Sequence, residues 1–129
     1  MGLLGTSAHG AGGAISLEFD TLSVNGQINV NGIKSKGAGG SILLEGNSLD
    51  GMGAITADGF GDNSPAGGGR VGLLVEDLTG FNGIVTAYGG FNSSTNESRN
   101  GGAGTVFYRN STWPNGRLVI DNGDIVGLP

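Results

Sequence analysis

The glycines of this chain recur in step, and that step constrains the fold more than any single residue does. Four segments open on a glycine followed by an apolar, strand-prone run: Gly13-Ala14-Ile15, Gly40-Ser41-Ile42, Gly69-Arg70-Val71 and Gly104-Thr105-Val106. A second glycine in each copy precedes a shorter run, at Gly26-Gln27-Ile28, Gly53-Ala54-Ile55, Gly83-Ile84-Val85 and Gly116-Arg117-Leu118. The copies span residues 10–36, 37–66, 67–100 and 101–124, inside a single domain of residues 1–129. Self-similarity at this period is the signature of stacked units, none of which can bury an apolar face alone.

Residues two apart on a strand share a face, so the copies can be read as columns. One column holds Ile15, Ile42, Val71 and Val106; the next holds Leu17, Leu44, Leu73 and Tyr108. A third contains Leu22, Leu49, Leu78 and Trp113. The short runs supply Ile28, Ile55, Val85 and Leu118, then Val30, Ala57, Ala87 and Ile120. These columns predict an all-β chain, a parallel β-solenoid (right-handed β-helix) of about four rungs with glycine- and asparagine-rich corners. Val24-Asn25-Gly26-Gln27 is the best local signal for an antiparallel hairpin instead.

Composition narrows the alternatives. The 29 glycines lack a collagen period and come with only 3 prolines. A net charge of -5 with scattered basic residues excludes the concentrated basic footprint of a nucleic-acid binder. Without cysteine there are no disulfides, no thiol catalysis and no cysteine-zinc site. No run of apolar residues is long enough for a membrane span.

The polar residues give few chemical leads. His9 has no partner at a recognisable spacing, and the adjacent Glu76 and Asp77 would point to opposite faces of a strand, so no catalytic set is expected. The outward column Asn31, Asp58, Tyr88 and Asp121 combines an aromatic ring with carboxylates and is the candidate ligand-binding face, suited to stacking on a glycan. Asp58, Asp62 and Asn63 lie in an oxygen-rich loop that could take Ca²⁺, although their spacing fits no established calcium loop. Asn92, Asn96 and Asn110 head N-x-Ser/Thr acceptor triplets. The column Asn29, Thr56, Thr86 and Val119 is too poor in threonine for an ice-binding ladder. Gly2 and Thr6 fit a myristoylation pattern, while residues 1–12 lack the basic start and apolar run of a signal peptide.

Gly67-Gly68-Gly69-Arg70-Val71, Tyr88-Gly89-Gly90, Gly102-Ala103-Gly104-Thr105-Val106-Phe107 and the Leu118 to Asn122 run resemble the glycine-rich repeats of very large secreted and cell-surface proteins of bacteria and protists. The resemblance covers residues 10–123 and implies a β-helical stalk or adhesin segment that is secreted or on the cell surface, with no catalytic residues to carry over. The expectation is therefore a structural or adhesive module that associates with itself through open ends or with neighbouring repeats, end-to-end assembly into a fibre being one form of this. The alternative is a carbohydrate-binding or polysaccharide-processing domain.

Overall fold

The computed structural model describes residues 10–34, 36–93 and 100–124. His9, Gly2, Thr6 and Asn96 lie outside the described residues. Among the described residues eight strands form, in chain order: β1 (Ala14–Ser23), β2 (Gln27–Asn29), β3 (Ser41–Asp50), β4 (Ala54–Thr56), β5 (Arg70–Asp77), β6 (Ile84–Thr86), β7 (Thr105–Tyr108) and β8 (Arg117–Val119). They make two sheets, one in the order β1-β3-β5-β7-β8 and one in the order β2-β4-β6. No helix is present among the described residues.

The register follows the glycine step. Ile15 pairs with Ile42, Ile42 with Val71 and Val71 with Val106, all in parallel strands. Ile28, Ile55 and Val85 pair in the same way in the second sheet. One apolar cluster forms from residues of both sheets and their corners, including Ile42, Leu44 and Leu49 of β3, Val71, Leu73 and Val75 of β5, Ile55 of β4, and Ala57 and Ala87. Gly51 turns the chain between β3 and β4 at φ 111°, where an added Cβ would lie 2.2 Å from the Val24 carbonyl oxygen. Only glycine meets both demands.

The uniform four-rung parallel β-solenoid, or right-handed β-helix, is not formed. The five-stranded sheet is mixed, because β8 pairs antiparallel with β7: Val106 with Val119, Phe107 with Leu118 and Tyr108 with Arg117. β8 thus joins the first sheet instead of stacking on β6, and the second sheet stops at three short strands. The cause lies between β7 and β8. Asn110 Oδ1 accepts from the N–H groups of Thr112 and Trp113, each at 3.0 Å, and so bends the chain where β1 and β3 run on. Pro114 offers no backbone donor, and Gly116 at φ 84° completes the reversal. Two columns lose their fourth member as a result, since Leu118 is 57% and Ile120 65% exposed.

Candidate functional site

In the column Asn31, Asp58, Tyr88 and Asp121, hydrogen bonds between successive units join the first three members. Asn31 Oδ1 accepts from the Asp58 N–H at 2.7 Å. Asp58 Oδ1 accepts from the Tyr88 N–H at 2.8 Å, and its Oδ2 accepts from the Thr86 hydroxyl at 3.0 Å. In the fourth unit Asn122 takes over: its Oδ1 accepts from the Gly89 N–H at 2.6 Å and its Nδ2 donates to the Gly101 carbonyl at 3.0 Å. Asp121 turns to the Gly123 N–H at 2.9 Å. The amide and carboxylate side chains proposed to receive a glycan therefore already accept from backbone N–H groups.

Tyr88 does gather carboxylates around it. Burial pushes its hydroxyl above the ordinary tyrosine value, and the negative charges of Asp121, Asp58 and Asp124 push in the same direction. One side of the ring packs against Gly123, where an added Cβ would sit 3.2 Å from two ring carbons.

The two carboxylates of the candidate calcium loop make separate contacts. Asp58 faces Thr86 and Tyr88, whereas Asp62, at φ 83°, accepts from the Ser93 hydroxyl at 2.9 Å. No group of three or more histidine, cysteine, aspartate or glutamate side chains placed to hold a metal occurs among the described residues. Of the glycosylation asparagines, Asn92 is only 2% exposed and its N–H donates to Asn100 Oδ1 at 2.7 Å. Asn110 is occupied by its turn and donates from Nδ2 to the Val75 carbonyl at 3.1 Å.

The two sides of the sheet stack differ. On the β1 side, each sheet ends in a strand that pairs along one edge only among the described residues: β1 with β3, and β2 with β4. Ile15, Leu17 and Leu22 carry the same apolar character as their partners Ile42, Leu44 and Leu49, but Leu17 is 39% exposed where Leu44 is 0%. A cavity of about 240 Å³ opens there between the sheets, lined by Gly13, Ile15, Val30 and Ile33 among others.

On the other side, the turn before β8 folds aromatic residues over the core. Trp113 meets Tyr108 edge to face at 6.0 Å, and the Arg117 guanidinium lies 5.3 Å from the Trp113 ring centre. These side chains, with Leu73, Phe81 and Val85, line a cavity of about 280 Å³. Burial raises the Tyr108 hydroxyl above its ordinary value, while Arg117 pulls it back. The guanidinium also takes up one face of Trp113, leaving less of the ring for stacking on a sugar.

In the sequence Trp113 falls in a core column, and the periodic pattern does not reveal this cluster. The readable signal was the turn chemistry of Asn110, Pro114 and Asn115-Gly116 immediately around it. Comparison with protein-family models, with characterised proteins and with solved structures finds no match to this chain. No helix among the described residues is long and apolar enough to cross a membrane.

Proposed function

We infer that the protein is a structural interaction module, non-enzymatic, that pairs through its β1 side with a second copy of the same chain. The observation that carries this reading is the contrast between β1 and β3. Their apolar residues match in register, yet those of β1 lack the cover that β5 gives β3. A ten-residue strand with one edge unpaired among the described residues is a template for another strand. The opposite side of the same sheet carries the short antiparallel β8 and the Trp113 cluster, which favours pairs over an end-to-end fibre.

The resemblance to glycine-rich repeats of large surface proteins fits a structural or adhesive role outside the cell. Glycan recognition has less support, because Asn31 and Asp58 are committed to the backbone.

The test is mass by light scattering across a concentration series, with electron microscopy of the same samples. The parent chain should pass from monomer to dimer as concentration rises. Leu17→Lys places a charge at the uncovered position and should remain monomeric with its fold intact. A parent that stays monomeric throughout, or a Leu17→Lys variant that still pairs, overturns the reading.

A further inference from the structure

The chain contains six Asn-Gly dipeptides, at Asn25, Asn31, Asn82, Asn100, Asn115 and Asn122, all among the described residues. Asparagine followed by glycine is open to an internal reaction, because no side chain shields the following peptide nitrogen. Folding decides which pairs can use it. In four of the six the glycine N–H is already engaged: Gly32 donates to Asp58 O at 2.8 Å, Gly101 to Gly90 O at 2.9 Å, Gly116 to Trp113 O at 2.9 Å, and Gly123 to Asp121 Oδ1 at 2.9 Å. Gly26 and Gly83 donate no hydrogen bond among the described residues. Asn25 and Asn82 are also both exposed.

These two pairs occupy the same corner of different units. The carbonyl of Gly26 accepts from Ala54, and that of Gly53 accepts from Ile84, so Gly26, Gly53 and Gly83 follow one another through the stack. The middle unit has Met52 where its neighbours have asparagine. In addition, Asn25 Oδ1 accepts from the Met52 N–H at 3.2 Å, which polarises the side-chain carbonyl toward attack.

We propose that Asn25 and Asn82 form a paired modification site, converted by water to aspartate and isoaspartate ahead of every other asparagine in the folded protein. The Gly26 or Gly83 nitrogen gives its proton to solvent base and bonds to the asparagine Cγ. The Cγ–Nδ2 bond breaks, and the nitrogen leaves as ammonia with a proton from water, closing a succinimide. Water then adds to either ring carbonyl. Opening at Cγ yields aspartate; opening at the main-chain carbonyl yields isoaspartate, with the backbone rerouted through the side chain. No oxidant or reductant enters. Conversion of both takes the net charge from -5 to -7, one unit for each amide lost.

The experiment incubates the intact protein in mildly alkaline buffer and follows each site by peptide mapping with electron-transfer fragmentation, together with isoaspartyl methyltransferase labelling. Asn25 and Asn82 should convert roughly tenfold faster than the other four, the factor that a hydrogen bond near the top of its usual net range represents. In concentrated urea the six rates should draw together. Gly26→Ala is the matching variant, since an added Cβ there meets nothing within 4 Å. It should slow conversion at Asn25 and leave Asn82 as fast as before. Conversion at Asn31, Asn100, Asn115 or Asn122 that keeps pace with Asn25 in the folded protein overturns the proposal, as does a Gly26→Ala chain that modifies Asn25 at the parent rate.

Discussion

Leu17 and Leu44 are the same residue, in register, on neighbouring strands, so truncating each to alanine measures how completely the β1 side is uncovered. Leu44 is 0% exposed. Removing three carbons there forfeits about 2.4 kcal/mol of transfer free energy at ~0.8 kcal/mol per methylene, and a cavity in packed surroundings adds about 1 kcal/mol. The expected loss is about 3.5 kcal/mol. Leu17 is 39% exposed, so about six-tenths of the transfer gain is at stake, and water can enter the space left behind. Its loss should be about 1.4 kcal/mol. Urea unfolding followed by circular dichroism, with an m-value of about 2 kcal/mol/M, would lower the midpoint by about 1.8 M for Leu44→Ala and about 0.7 M for Leu17→Ala. The measurement belongs at a concentration where the parent is monomeric. Equal losses would mean that something covers β1 as fully as β5 covers β3, and the reasoning from the open edge would fail.

Three further outcomes follow from the geometry. Gly83→Ala should destabilise severely, since its Cβ would lie 1.9 Å from the Gly53 carbonyl oxygen; thermal melting of this variant beside Gly26→Ala checks the contrast, and two similar melting curves would refute the corner assignment. Asp58→Ala strips the acceptor from the Tyr88 N–H and the Thr86 hydroxyl and should cost about 2 kcal/mol by chemical denaturation, more than a surface carboxylate would. Tyr88 and Tyr108 both have folded-state values raised above 10.0, so the stability they contribute is fully present below that unfolded value and is lost as pH rises through the folded values. Tyrosinate absorbance should therefore appear at higher pH in the folded chain than in urea; coincident titrations would refute it.

The parallel strand pairs and their register were legible because glycine spacing and period-two apolar columns are local and repeat. The fate of the fourth copy was not, although its glycines and apolar residues match the others. There the decision fell to Asn110, Pro114 and Gly116, which bend the chain within a few residues and send β8 back onto β7. Averaging over copies hides such a local exception. The outward polar column looks like free chemistry in the sequence for a related reason. A sequence shows that Asn31 and Asp58 share a face, but not that the next unit brings a backbone N–H to 2.7 and 2.8 Å of their oxygens.

Those side-chain bonds run mostly one way. Asn25 accepts from Met52, Asn31 from Asp58, Asp58 from Tyr88 and Glu76 from Ser111, so in each case an earlier unit supplies the acceptor and a later one the donor. The first unit has no earlier unit among the described residues to serve it. At Asn31 it serves itself: the N–H donates at 2.8 Å to Oδ1 of its own neighbour Asn29, taking the place that Asn31 fills for Asp58. β2 is thus capped at the point where its partners depend on a neighbouring unit, and its three residues offer little further edge. β1 has ten residues and no equivalent cap along its length among the described residues. The unpaired edge and the underpacked apolar residues coincide on this strand, and that coincidence directs a second copy to β1 and not to the shorter sheet.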